Sequence, residues 1–217
     1  MDRPELWKAL EDVGVVRYDR HIILRSGLHT RAYANFVPSR VPYHLREELI
    51  SHLEESLPRL PQTAIDDLVI IGTGCGEWYA SIVAYRLQAE YMYAEKETSG
   101  RYIFRRDQAE QLPGKHVILL DDVLCTGRSA FGIVKLVLQV GGTMDGVMFI
   151  LDRHASKSLL LSFQHGYVLR PTILFHAPME TWARDACPMC ASGIPYSIEH
   201  GAGNDEFHQH GQPQMKL

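Results

Sequence analysis

The stretch HVILLDDVLCTGRSA, residues 116–130, sets the reading of the whole chain. Four apolar residues, Val117 to Leu120, run unbroken into the adjacent acids Asp121 and Asp122. Such a run suits a strand buried on both faces, as in a parallel sheet. The turn Thr126-Gly127-Arg128-Ser129 follows. Ile133, Val134, Leu136, Val137 and Val140 then recur at helical spacing up to Gly141-Gly142, a good helix stop. The acids and the turn are expected at the carboxyl end of a central strand, opening a helix, where open α/β sheets bind ligands. A helix start offers free N–H groups and the positive end of a dipole to an anion.

The remaining chain, 217 residues in all, suits one domain with a small appendage. At 46% hydrophobic and 22% charged it reads as soluble and globular. A net charge of −4 gives no sign of a nucleic-acid or membrane-surface partner, so any phosphate chemistry must come from a local site. No apolar run approaches the roughly 20 residues that span a bilayer. The start, MDRPELWKALEDVG, reads as an amphipathic helix rather than a signal peptide. Four cysteines are too few for a disulfide scaffold, which makes a reducing, cytoplasmic setting the expectation.

Residues 4–13 and 43–57 are expected as helices, the second with Leu45, Leu49, Leu53 and Leu57 on one face. HIILRSG and RAYANF read as short extended pieces joined by Gly27-Leu28-His29. Leu68 to Ile71 is a second buried strand, followed by Gly72-Thr73-Gly74-Cys75-Gly76 and a helix from about Glu77 to Gln88. Glu90 to Ala94 and Gly146 to Leu151 are further strands. YIF within residues 95–106 suits one side of a hairpin. Residues 158–163 are compatible with a helix, and Tyr167 to Phe175 with an edge strand containing Pro171. From Pro178 onward Cys, His, Gly and Pro dominate, and the last ~15 residues read as disordered. The alternation predicts a parallel sheet covered by helices on both faces. Right-handed crossovers would bring Gly72–Gly76, Asp121–Ser129 and Asp152–His154 to one rim.

The turn at Thr126–Ser129 combines backbone N–H groups and hydroxyls that can wrap a terminal phosphate. It has neither the Gly-Lys-Ser/Thr of a P-loop nor three spaced glycines for a dinucleotide. The paired carboxylates would face whatever is attached to that phosphate, and vicinal sugar hydroxyls suit them, directly or through a metal ion. The plainer alternative, an acidic pair that merely caps the helix, does not call for two acids plus this turn.

VILLDDVLCTGRSA resembles the signature of the type I phosphoribosyltransferases, whose common substrate is 5-phosphoribosyl 1-pyrophosphate. Among these the chain is most similar to the orotate phosphoribosyltransferases. LRSGLHTRAYANF resembles their N-terminal substrate segment, and AEK with FRRDQAEQLPGKHVILLDDV their mobile loop and its return. FILDR, ending at Arg153, resembles the strand whose arginine receives the orotate carboxylate, and CPMCASGIPYS a tail found in some members. The likeness spans most of residues 5–198. It implies a phosphoribosyltransferase domain over 1–178 with an N-terminal hood at 1–40, and a C-terminal extension over 179–217. It also implies Mg²⁺ as cofactor and a homodimer.

Carried over residue by residue, Asp121 and Asp122 would hold the ribose hydroxyls and, directly or not, Mg²⁺. Cys125, Thr126, Gly127, Arg128 and Ser129 would hold the 5′-phosphate, and Thr73, Gly74, Cys75 and Gly76 the pyrophosphate. Arg153 with Arg25, Tyr33 and Asn35 would address the base. Displacing pyrophosphate builds positive charge on the ribose ring, as in other glycosyl transfers. The polyanionic leaving group needs Mg²⁺ and N–H or cationic donors. A lid must exclude water, and residues 95–106 supply Lys96, Arg101, Arg105 and Arg106, of which Lys96 and Arg105 are the catalytic candidates.

Three features depart from the family pattern. The lid lacks a Lys-x-His pair, Glu77 follows the pyrophosphate loop where an acid is unfavourable, and Arg128 stands where a small residue is usual. Arg128 either contacts phosphate or points to solvent. These departures keep two alternatives in view: a phosphoribosyltransferase for another base, and a regulator that binds the sugar pyrophosphate or a nucleotide without turnover. Cys187-Pro188-Met189-Cys190 has metal-ligand spacing. Zinc there would need His200, His208, His210 or another subunit, and a turn that packs its thiols is the preferred reading. Of the 11 histidines, only His29 and His154 are expected near the site.

Overall fold

A computed structural model describes residues 1–24, 26–60, 65–154, 161–162, 168–198 and 200–201. In chain order the elements are α1 (Arg3–Asp12), β1 (Val16–Arg17), β2 (Ile22–Ile23), β3 (His29–Thr30), β4 (Tyr33–Ala34), α2 (Tyr43–Glu55), β5 (Leu68–Gly72) and α3 (Gly76–Leu87). Then come β6 (Glu90–Tyr93), β7 (Glu95–Lys96), β8 (Tyr102–Ile103), β9 (His116–Leu124), α4 (Arg128–Gln139) and β10 (Thr143–Asp152). The last are β11 (Leu161–Ser162), β12 (Val168–Leu169), β13 (Thr172–His176) and α5 (Pro188–Ala191). The chain divides into two compact units, one of Met1–Trp7 with Phe36–Ala177, the other of Lys8–Asn35 with Pro178–Leu217.

The first unit is built on a five-stranded sheet in the order β13-β10-β9-β5-β6. Every neighbouring pair in it is parallel. β9 lies in the middle because its residues from Val117 to Asp121 are buried without interruption, which only a strand covered on both faces can satisfy. Side chains alternate across the sheet. Val69, Ile71, Val117 and Leu119 pack with Ile133, Val134 and Val137 of α4. The intervening residues Ile70, Ile118 and Leu120 point to the opposite face, where α3 buries Tyr79, Ala80 and Val83 and α2 buries Leu45, Leu49 and Leu53. The expected sheet with helices on both faces is the observed one.

Three details differ from the expectation. β9 runs on through both acids to Leu124, because β10 supplies a paired partner that far, Leu151 to Val123 and Asp152 to Leu124. The edge strand begins after Pro171 rather than containing it. Val168–Leu169 instead pairs antiparallel with Leu161–Ser162, so those two residues are strand and not helix. The rest of 158–163 and Tyr167 lie outside the described residues. No helix among the described residues is long and apolar enough to cross a membrane.

The second unit has little regular structure: β1 pairs with β4, and β2 with β3 in a hairpin. The C-terminal segment runs beside that hairpin. Trp182 and His29 exchange backbone hydrogen bonds of 2.7 and 2.8 Å, Thr30 Oγ1 donates to the Glu180 carbonyl at 2.7 Å, and Ser197 N–H donates to the His21 carbonyl at 2.7 Å.

Candidate active site

The parallel register carries the ends of β5, β9 and β10 to one edge of the first unit, with Gly72 beside Leu120 and Leu124 beside Asp152. The loop Thr73–Cys75 therefore lies against the acids. A Cβ placed on Gly76 would stand 2.5 Å from Asp121 Cα and 2.8 Å from the Leu120 carbonyl oxygen, so only glycine lets the start of α3 press this closely on β9. Cys75 adds a side-chain hydrogen bond to Asp122. Thr73 is buried.

Asp121 is buried and Asp122 half-buried, and the Asp121 carboxylate accepts the Asp122 backbone N–H at 2.9 Å. No basic side chain pairs with either among the described residues. Burial, reinforced by the adjacent negative charge of Asp122, holds the Asp121 pKa well above the usual carboxylate value. Burial also raises Asp122, against hydrogen bonds from Asp121, backbone and Cys75 that favour its ionised form. Two ionised carboxylates so placed have a strong demand for positive charge or hydrogen-bond donors.

Beyond β9 the chain turns through Cys125, Thr126 and Gly127, the last in the left-handed conformation at φ 69°, and enters α4 at Arg128. Among the described residues no side chain caps that helix start, and a long contact of 3.4 Å joins the Arg128 N–H to Thr126 Oγ1. The turn thus presents backbone N–H groups and two hydroxyls, those of Thr126 and Ser129, next to the acids. Arg128 is exposed. The neighbouring strand ends in Asp152, which is buried and accepts 2.6 and 3.1 Å hydrogen bonds from the Nδ1 atoms of His154 and His176. The Arg153 N–H donates to the Leu124 carbonyl at 3.3 Å. Desolvation by its neighbours raises the pKa of the surface-exposed Cys125 thiol, and a hydrogen bond from the buried Arg153 guanidinium offsets part of that rise.

The basic loop forms a hairpin, β7 against β8, with Glu95 opposite Ile103 and Lys96 opposite Tyr102. A cleft of about 590 Å³ separates it from α4, lined among others by Lys96, Arg101, Tyr102, Arg128, Ser129 and Lys135. Lys96 Nζ lies 5.8 Å from the centre of the Tyr102 ring, Arg105 pairs with Glu95 at 2.9 Å, and Arg101 with Glu97 at 3.2 Å. Sequence reasoning missed the two glutamates that hold these arginines. It also missed that Glu95 acts at a distance on Glu77, whose pKa rises through burial and then through the Glu95 charge.

The structure thus gathers Thr73–Gly76, Asp121, Asp122, Cys125–Ser129 and Arg153 at one sheet edge, with Lys96 and Arg105 on the adjoining hairpin. Tyr33 and Asn35 belong to the second unit, where the Asn35 N–H donates to the Val15 carbonyl at 2.8 Å. Arg25 lies outside the described residues. Cys187 and Cys190 meet His21 and His29 in that unit, not the histidines expected of the tail, of which His208 and His210 lie outside the described residues.

No protein-family model matches the chain. The orotate phosphoribosyltransferase of Pyrobaculum calidifontis is 32% identical over 151 residues, 70% of this chain and 76% of that protein. That of Caldicellulosiruptor saccharolyticus is 30% identical over 176 residues, 81% of this chain and 85% of that protein. Among solved structures, orotate phosphoribosyltransferase from Aeropyrum pernix matches with a TM-score of 0.52 at 23% identity, covering 68% of this chain and 81% of that one. The fold agrees with that structure, and by identity and extent of match to its relatives the chain belongs to the orotate phosphoribosyltransferase family.

Proposed function

We propose that the protein transfers ribose 5-phosphate from 5-phosphoribosyl 1-pyrophosphate to orotate and releases pyrophosphate. The observation that carries this is the acid pair of buried Asp121 and half-buried Asp122 standing directly before a helix start that no described side chain caps, at Thr126–Ser129. In this reading the carboxylates accept hydrogen bonds from the ribose hydroxyls. The N–H groups and hydroxyls of residues 125–129 hold the 5′-phosphate, and the loop Thr73–Gly76 faces the leaving pyrophosphate. Arg153, at the end of β10, addresses the orotate carboxylate.

Hard carboxylate oxygens with no basic partner among the described residues suit Mg²⁺, and Asp121 and Asp122 are the residues that would hold it. When bound, it supplies charge neutralisation for the departing pyrophosphate. Positive charge that develops on the ribose ring is stabilised by the same ionised pair, whose attraction is strengthened by its dry surroundings. The hairpin carrying Lys96 and Arg105 closes over the sugar and keeps water from the reactive carbon.

Pyrophosphate release by purified protein supplied with the sugar pyrophosphate, Mg²⁺ and each of a panel of bases tests the assignment. Orotate should support turnover and the purine bases should not. Turnover with a different base alone would move the acceptor assignment. Tight binding of the sugar pyrophosphate with no turnover on any base would make the protein a sensor, the reading that Glu77 and the paired lid arginines favour. Lys96→Ala and Arg105→Ala together should lower kcat/KM about 10- to 100-fold with little change in Tm, since both groups are exposed and surface ion pairs contribute at most about 1 kcal/mol. Unchanged kcat/KM in that double variant would remove the hairpin from the mechanism.

A further inference from the structure

Four side chains converge inside the second unit that the sugar chemistry does not use. One ligand atom from each of His21, His29, Cys187 and Cys190 lies within 4.8 Å of the other three. His21 Nε2 is 2.8 Å from His29 Nδ1, and the Cys187 and Cys190 sulfurs are 3.6 and 3.7 Å from His21 Nε2. The Cys190 sulfur is 3.3 Å from His29 Nδ1. With Zn–S near 2.3 Å and Zn–N near 2.0 Å, the edges of a tetrahedral site are about 3.5 Å for S···N and about 3.3 Å for N···N. The observed sulfur–nitrogen separations match that figure closely, and the nitrogen pair is somewhat tighter.

We propose that these four residues bind one zinc ion as a closed, structural site. The protonation pattern supports it. The Ile194 carbonyl, 2.7 Å from His21 Nδ1, can only accept, so the imidazole proton sits on Nδ1 and the Nε2 lone pair faces the cluster. A backbone carbonyl that fixes the tautomer of a ligand histidine is the usual outer support of a metal site. His21, His29 and Cys187 are buried, and two thiols with two imidazoles and no carboxylate select zinc over Mg²⁺ or Ca²⁺.

Local structure presents the ligands correctly. The β2–β3 hairpin sets His29 opposite Ile23 and returns it beside His21. Cys187 precedes α5, with Pro188 at its first position. The Cys187 and Cys190 carbonyls accept from the N–H groups of Ala191 and Gly193 at 3.0 Å each, a tight knuckle that turns both sulfurs to the same side. A packed thiol turn alone would not require two buried imidazole nitrogens to point at the sulfurs. The unit also needs such a staple, since its strands are two residues long and α5 has four. Elements that short make few regular contacts, and a metal would staple the β2–β3 hairpin to α5. Its binding would supply folding free energy there.

The test is metal analysis of protein made without an affinity tag and washed with a weak chelator. About one zinc per chain is expected, falling at least about tenfold in Cys187→Ser and in Cys190→Ser, while His208→Ala with His210→Ala keeps it. Cobalt added to the metal-free wild type should give the visible bands of a tetrahedral site and a near-ultraviolet thiolate charge-transfer band. That measurement decides the matter even where the serine variants fail to fold. Folded wild type with no zinc and no cobalt bands, zinc retained in the double serine variant, or a Cys187–Cys190 disulfide in freshly isolated protein would each overturn the site.

Discussion

Asp122→Asn is expected to lower turnover at least about 100-fold while the fold stays intact. The substitution keeps the shape of the side chain and removes the charge that faces the developing positive ring. Asp121→Asn should behave alike in activity and differ from an ordinary core change in stability. Burial and the Asp122 charge raise the Asp121 pKa, so the folded chain holds that proton more tightly than the unfolded chain does. The stability this contributes is present at acid pH and is lost as pH rises from the ordinary carboxylate value through the raised one. Ionising Asp121 above that range therefore weakens the fold, and Asp121→Asn removes that cost. Its Tm should equal or exceed that of the wild type at pH 7, with the advantage shrinking toward about pH 4. Loss of activity accompanied by a clear fall in Tm at pH 7 would show that the acids hold the fold together, and the ribose-binding role would lose its support.

Gly76→Ala should be among the most damaging single-methyl changes in the first unit. The added carbon would meet backbone on β9, at 2.5 Å from Asp121 Cα and 2.8 Å from the Leu120 carbonyl, and no rotamer change can relieve a clash with backbone. Overpacking of this kind costs about 1–3 kcal/mol or more, a fall in Tm of roughly 3–10 °C in a chain of this size. Because the strand being pushed carries Asp121, turnover should fall with it even in the fraction that folds. A variant with wild-type Tm and kcat would show that the loop does not press on β9 in solution.

Most of the first unit was legible in the sequence because its signals are strong and local. Val117–Leu120 suited a covered strand, and the periodic residues from Ile133 to Val137 a helix against it. Strand ends follow partners rather than propensity, so β9 outran its apolar run where β10 continued to pair. Pro171 ended one short pairing and preceded the edge strand, an outcome set by β10 as neighbour. The candidate ribose- and phosphate-binding residues fell in one contiguous stretch, 121–129, and were easy to place. The Glu95–Arg105 and Lys96–Tyr102 contacts were harder, since they depend on the register of a hairpin whose strands are two residues long. The second unit was least legible: its Cys/His cluster brings together positions 166 and 161 residues apart, as Cys187 with His21 and Cys190 with His29. No periodicity reports a contact of that range.

Product analysis decides whether the acids before the Thr126–Ser129 turn serve sugar transfer to orotate. Wild type and the Asp121→Asn/Asp122→Asn double variant are each supplied with the sugar pyrophosphate, Mg²⁺ and orotate, and the nucleotide formed is measured by mass spectrometry. An orotate ribonucleotide should appear in step with pyrophosphate in the wild type, with a loss of at least about 100-fold in the folded variant. Equal rates in the two proteins, or no orotate nucleotide from the wild type, would contradict that role.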